Sequence, residues 1–360
     1  MKIKLLFVLS LMSFFALELK AQDPHFTQFS DAPMLVNPAN TGFYRGMYRI
    51  TGNFRNQWDY RFINNNNIQA GNTGYTTFAG GFDISLKPSK NSTDMLGIGI
   101  QLLTDRAGEV ALSSTFGQIN LAYWKKLDPN KNRWLSAGFT IGFEQRKIDY
   151  TNIELPDQYN PSNPQAVLAP TSLPVNNSYI YTDIGMGAKY FATLTKKRMI
   201  NVGFAIAHIN QPKNSFFFGL PSDQLYRKYT FHAGMRLPLA YKIDLAPTFL
   251  VMRQGTWMEF DEGTYVRFLL TEVKSKELMA YNIGFWLRQA NGSGNFVFDA
   301  INLANKLEFN QYTIGISYDL NISKLTETTK LKGGVELSIS YQNALDASLG
   351  NKKKPVCPVF

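Results

Sequence analysis

Along most of the chain, apolar and polar residues alternate one by one. Between Arg133 and Arg146, Leu135, Ala137, Phe139, Ile141 and Phe143 fall on one face, with Ser136, Gly138, Thr140, Gly142, Glu144 and Arg146 on the other. A pleated strand separates such sets, because its side chains point to opposite sides with period two. The division returns with Tyr229, Phe231, Ala233, Met235 and Leu237 against Lys228, Thr230, His232, Gly234 and Arg236. It returns again with Tyr312, Ile314, Ile316, Tyr318 and Leu320 against Gln311, Thr313, Gly315, Ser317 and Asp319, and Val335, Leu337, Ile339 and Tyr341 close the series. The pattern predicts about fourteen strands, starting near 46, 74, 95, 115, 134, 179, 199, 228, 241, 264, 277, 296, 310 and 333. Each run is around ten residues, the length a tilted strand needs to cross a bilayer core. Only helices and closed barrels satisfy every backbone group in lipid. Beyond the first residues no apolar run is long enough for a spanning helix, so the expectation is an all-β, antiparallel transmembrane barrel.

Connection lengths alternate in the same sense. With the mature N-terminus on the periplasmic side, the external loops fall at about 56–73, 105–114, 147–178, 210–227, 252–263, 289–295 and 321–332. The connections between them are mostly short, as in outer-membrane barrels, which have short periplasmic turns and longer extracellular loops.

The start of the chain supplies an export signal. Lys2 and Lys4 precede an apolar stretch from Leu5 to Leu17, and Ala21 offers a small residue for cleavage before Gln22. The domain plan is therefore a signal peptide over 1–21, a periplasmic N-terminal segment over 22–45, the barrel over 46–341 and a periplasmic tail over 342–360. The lone cysteine, Cys357, lies far from the cleavage point, which excludes a lipid anchor there, and it has no internal disulfide partner.

Composition refines this picture in two ways. Aromatic residues make up 14% of the chain and charged ones only 18%, a surface better suited to lipid than to water. The net charge of +10 admits nucleic acid or anionic lipid as a partner. The strand plan puts Lys87, Lys90, Lys125, Lys126, Lys131, Lys196, Lys197, Arg198, Lys274, Lys276, Lys306, Lys352, Lys353 and Lys354 on the periplasmic side. A cationic rim there suits anionic headgroups or an acidic periplasmic partner, or simply keeps the turns soluble; nucleic acid is not expected.

Candidate chemistry is sparse. Three histidines, His25, His208 and His232, offer few parts for a metal site or a triad, and no motif surrounds them. His208 continues the lipid-facing parity of Ile200, Val202, Phe204 and Ile206. Charged residues on inward faces, Glu144 with Arg146, Asp183 with Lys189, Asp244 with Lys242, Arg267, and His232 with Arg236, are expected to line the lumen, either as a paired network or as a charged constriction. Gly97, Gly99, Gly138, Gly142, Gly185 and Gly187 recur on that face and spare space for neighbours or bends. No phosphate-loop spacing surrounds them, and no cofactor, metal or catalytic residue is expected.

Three blocks carry a resemblance. Gln22, Asp23, Pro24, His25, Phe26, Thr27, Gln28 and Phe29 lead to Asn37, Pro38, Ala39 and Gly42; Phe54, Arg55, Asn56, Gln57 and Trp58 end the first strand; Cys357, Pro358, Val359 and Phe360 close the chain. Together they resemble the PorP/SprF family of Bacteroidetes outer-membrane proteins. The resemblance implies a component of type IX secretion and gliding motility, tied to export or surface retention of a large cargo with a C-terminal type IX signal. Implied partners are that cargo, periplasmic or outer-membrane type IX components and outer-membrane lipid. Phe26, Gln28, Phe29, Asn37, Pro38, Arg55, Gln57 and Trp58 form a candidate cluster, read either as a partner contact or as a lock that tucks the N-terminal segment into the barrel mouth. The 58–73 loop, with Asn64 to Asn67, and the 147–178 loop are candidates for cargo contact. Two alternatives stand beside this reading: a general diffusion porin, and a lumenal hydrolase built on His232.

Overall fold

The computed structural model describes residues 23–343, apart from 45, 59–73, 90–91, 109–110, 129–130, 150–176, 196–197, 217–223, 272–277, 292–295 and 324–331. Fourteen strands form one closed antiparallel barrel. They are β1 (Tyr48–Gln57), β2 (Tyr75–Leu86), β3 (Met95–Ala107), β4 (Leu112–Lys126), β5 (Arg133–Lys147), β6 (Ser178–Thr193) and β7 (Met199–Ala207), followed by β8 (Lys228–Ala240), β9 (Ile243–Gln254), β10 (Trp257–Leu269), β11 (Met279–Asn291), β12 (Phe296–Phe309), β13 (Tyr312–Asn321) and β14 (Lys332–Gln342). Each strand pairs with its sequence neighbours, and β1 closes on β14 through Arg49 opposite Gln342 to Gln57 opposite Gly334. Closure leaves no sheet edge unpaired, which a sheet surrounded by hydrocarbon requires.

The alternation sets which side each residue faces. Phe78, Ile100, Leu102, Ile119, Phe139, Phe143, Ile283, Ile314 and Ile339 are exposed on the outer surface, while Asn120, Ser136, Asn302, Asp319 and Glu336 are buried within. Rings gather at both rims. Tyr48, Tyr312 and Tyr341 cluster at the end where β1 starts, and Phe249, Phe260 and Phe296 lie in sequence around the opposite end. Aromatic girdles of this kind mark the two lipid interfaces of an outer-membrane barrel.

Long connections (58–74, 148–177, 208–227 and 322–331) all lie at one end, hereafter the outer mouth. Connections at the other end are the shorter 87–94, 127–132, 194–198, 241–242, 270–278 and 310–311. Three outer connections depart from the rule: 108–111 and 292–295 are as short as the inner ones, and the external loop expected at 252–263 is strand. Gln254 pairs with Trp257 across a two-residue turn in which Gly255 adopts φ +61°, a conformation glycine enters without steric cost. Charged Glu259 and Asp261 on the inward face interrupt the apolar look of β10 and make it read as loop. Asn64 to Asn67, most of the 147–178 loop and Cys357 lie outside the described residues.

The bore is filled by the chain's own N-terminal segment. Three single turns of helix, Phe29–Asp31, Pro33–Val36 and Pro38–Asn40, fold the segment before β1 into a compact strand-free run. Segment 22–45 was expected on the periplasmic side, but its described residues pack against the inner wall. Phe26, Phe29, Met34 and Phe43 explain that position: they need burial, and the bore provides it.

Candidate functional site

The inner wall and the segment it encloses form a single polar and aromatic assembly, which begins at the outer mouth. There Asp23 accepts hydrogen bonds from Lys228 Nζ (2.7 Å) and Gln254 Nε2 (3.2 Å), and lies 2.6 Å from His208 Nε2. His208 Nδ1 in turn meets Asp183 at 2.9 Å. This placement corrects the lipid-facing assignment of His208: a left-handed φ of +55° just past β7 breaks the alternation and turns the ring inward, where it is buried. The flanking carboxylates push the His208 imidazole up to about 9 against the opposing effect of burial. Asp23 is held well below the ordinary carboxylate range by His208 and Lys228, which outweigh its own desolvation.

One layer deeper, Thr27 is the hub. Its hydroxyl donates to Asp319 (2.9 Å) and accepts from Arg55 (3.1 Å) and Arg288 (2.9 Å), while its backbone N–H donates to Glu336 (2.9 Å). Arg55 also reaches Glu336 at 2.7 Å and Asp319 at 3.1 Å, so four charged groups from β1, β11, β13 and β14 meet on one residue of the segment. Gln28 donates its N–H to Glu336 and its side-chain amide to Asn302. A dry interior makes such pairs costly unless every group is satisfied, and here each pair is backed by further hydrogen bonds.

Aromatic and small residues seat the remaining turns. Phe29 packs among Ala246, Leu250, Met252, Tyr265 and Trp286, and Phe26 packs against the far side on Ala79 and Leu103. Asn37 caps the turn at Ala39 and donates to the carbonyls of Ala188 and Phe204, with His232 Nε2 at 3.1 Å. Near the inner end Phe43 stacks on Trp124 at 3.8 Å, and the Trp124 indole donates to the carbonyl of Thr41. Arg49 grips Asp83 with two nitrogens. Two wall glycines are shaped by this contact: a Cβ on Gly97 would sit 2.2 Å from the Thr41 carbonyl oxygen, and one on Gly138 would sit 2.3 Å from the Ala39 nitrogen.

The residues singled out from sequence are thus distributed along the bore. Phe26, Gln28, Phe29, Asn37 and Pro38 lie in the enclosed segment on different walls. Arg55 binds that segment and donates to Gln57 at 3.1 Å, whereas Trp58 stands apart at the outer rim, edge-on to Tyr75. Of the candidate lumen residues, Glu144 pairs with Arg146 at 2.9 Å and Arg236 with Asp244. Asp183 takes His208 in place of Lys189, which donates to Asn40 at 2.7 Å. Lys306 is no rim cation: it is buried on the inner face, bound to Asp31 and lying 4.6 Å over the Tyr265 ring. Asp23, Thr27, Asp31, Arg288, Glu336 and Lys306 carry the assembly without having been named as its parts. The inward parity of Asp319 was visible in the alternation, but its partners Thr27 and Arg55, hundreds of residues away, were not.

Cavities remain in the filled bore among the described residues. One of about 110 Å³ opens between Asp31, Tyr44, Lys189 and His232 at the inner end, and one of about 70 Å³ lies under the outer mouth between Pro24, Val36, Phe116, His208 and Thr230. Among the described residues no group of His, Cys, Asp or Glu has the geometry to hold a metal ion.

A family profile described as the type IX secretion system membrane protein PorP/SprF matches residues 18–341. No sequence among curated proteins matches the chain. Solved structures with a similar course include a mutant of the monoaromatic hydrocarbon channel TodX, at 7% identity and TM-score 0.48, covering 88% of this chain and 94% of that one. The toluene transporter TbuX of Ralstonia pickettii aligns at 13% identity and TM-score 0.42, with the same coverage. A FadL homologue of Pseudomonas aeruginosa aligns at 9% and 0.39, covering 87% of this chain and 94% of that one.

Proposed function

The chain belongs to the PorP/SprF family of type IX secretion system membrane proteins, and from that membership we propose that it is a platform for a large secreted protein at the outer membrane. In this reading the long outer connections and the outer mouth hold the cargo during export or at the cell surface. The shorter-turn end, where Lys125 is exposed beside Asp94, faces periplasmic components of the system. Gliding motility is one process such a platform serves.

The observation that carries the reading is the filled bore. A barrel built to conduct solutes needs a continuous aqueous path, whereas here a folded segment anchored to the strands around the bore occupies it. That arrangement stands against the diffusion-porin alternative, and it moves the cargo from the lumen to the loops. The hydrolase alternative also loses support, because His232 is buried against Asn37 of the segment and, among the described residues, no serine, threonine or cysteine hydrogen-bonds to its ring. The barrel acts, on this reading, by binding and not by catalysis.

The test is a chromosomal deletion followed by comparison of the surface and culture-medium proteomes. At least one large exported protein is expected to leave the surface fraction or to accumulate inside the cell, and to co-purify with the tagged barrel from wild-type membranes. An unchanged surface proteome, together with stepwise conductance of the purified wild-type barrel, would refute the platform and favour the porin.

A further inference from the structure

The outer end of the enclosed segment is assembled like a ligand site. A carboxylate sits between an imidazole, an ammonium group and a primary amide, with distances to Asp23 of 2.6, 2.7 and 3.2 Å from His208, Lys228 and Gln254. The second ring nitrogen of His208 is fixed by Asp183, which sets the ring's orientation independently of Asp23. His208 adopts a left-handed backbone conformation to reach this position, and non-glycine residues held there cluster at ligand clamps and switch regions.

The carboxylate that fills the site comes from the outermost described residue of the segment. Its neighbours inward, Phe26, Thr27 and Phe29, have anchors of their own deeper in the bore. Asp23 and Pro24 can therefore lift away without dragging those anchors. Directly below them lies the outer cavity of about 70 Å³, whose floor of Met34, Leu35, Val36 and Phe116 is apolar and whose rim carries His208, Lys228 and Glu144. A concave apolar floor with a few converging polar groups is how binding sites orient a ligand with one charged end.

We propose that His208, Lys228 and Gln254 form a carboxylate-binding site at the outer mouth, occupied in the resting barrel by the chain's own Asp23 and open to an acidic group of an extracellular peptide that displaces it. Lifting Asp23 and Pro24 exposes the apolar floor to the residue carrying that group. The role of the site rests on the reading of this mouth as the side that meets a partner, but the site itself is testable on the purified barrel alone.

The experiment follows the His208 ring by NMR in detergent, with labelled histidine, in a chain whose three histidines keep the signals few. The groups that face the ring are Asp23, Asp183 and Lys228, with the Glu144–Arg146 pair beyond them. In Asp23→Ala the His208 midpoint is expected to fall by at least about one pH unit, since one of its two carboxylate partners is gone. Adding N-acetyl-Asp-Pro-amide is expected to restore at least half of that fall; the Asn version of the peptide at equal ionic strength is expected to restore none. Lys228→Ala in the Asp23→Ala background should abolish the restoration. If the acidic peptide leaves the midpoint where Asp23→Ala put it, the site is only an internal lock and the proposal fails. Asp23→Asn, which keeps the shape of the side chain, repeats the test should the alanine variant not assemble. Failure of both to give heat-modifiable barrels would overturn the proposal equally, because a displaceable group cannot be required for assembly. None of these outcomes bears on whether a cargo is held by the loops.

Discussion

The wall and the segment inside it are specified by different physics. Wall strands obey a rule that tolerates many sequences: apolar outside, polar or small inside, repeated every second residue. On the outer face Phe139, Ile141 and Phe143 need only be apolar. The enclosed segment has no period at all. Thr27 needs a hydroxyl at one point, Asn37 an amide at another, and Gly97 and Gly138 must lack a side chain so that Thr41 and Ala39 can approach. A repeating pattern builds the cylinder, and individual complementarity fills it. The two therefore differ in how they respond to change.

The largest break in this comparison is removal of the segment. A barrel lacking residues 23–44 is expected to show frequent stepwise conductance in planar bilayers where the intact protein shows none. If both are equally silent, the wall closes without its filling.

Next comes the hub. Arg55→Ala leaves Glu336 and Asp319 short of a buried partner, and loss of one member of a buried ion pair costs about 3–5 kcal/mol. The unfolding transition in urea, read by heat-modifiable migration, should move accordingly, whereas Phe139→Leu on the lipid face should leave it in place.

Two glycines sharpen the contrast further. Gly97→Ala drives a Cβ into the Thr41 backbone, which cannot yield as a side chain would, with an expected cost of about 1–3 kcal/mol. A Cβ on Gly80 meets nothing nearer than Phe78, at 3.8 Å, so Gly80→Ala should be close to neutral by the same assay. Equal effects at both positions would mean that the segment does not press on the wall.

The smallest expected effect is on pH dependence. His208 is raised from its ordinary 6.5 to about 9, so its contribution is complete below pH 6.5 and is lost as pH rises from there through about 9. Asp23 is lowered from 3.8, so its contribution is complete above pH 3.8 and is lost only in stronger acid. Between those limits the outer contact is at full strength. Thermal unfolding in detergent should shift downward between pH 6.5 and 9 in the wild type, and His208→Gln should flatten that slope.

Much of the wall was legible because its signal is local. Thirteen of the strands begin within about three residues of the positions read from alternation, and the exception, β10, hides behind inward Glu259 and Asp261 and a turn made tight by Gly255. The assembly within was legible only in part. Phe26, Gln28, Phe29, Asn37 and Arg55 stood out as a motif, but a motif does not say which wall each residue touches. Lys306 read as a rim cation because it lies near a strand end; its partner, Asp31, is 275 positions away. His208 was misplaced because a single left-handed residue ends the parity argument.

The central claim is that the N-terminal segment lies folded inside the bore, and Phe29 is the place to test it. With p-benzoylphenylalanine substituted at that position, irradiation of intact cells is expected to give an intramolecular cross-link to peptides carrying Leu250, Tyr265 or Trp286. Cross-links that run only to other periplasmic proteins, with none to β9, β10 or β11, would contradict the account.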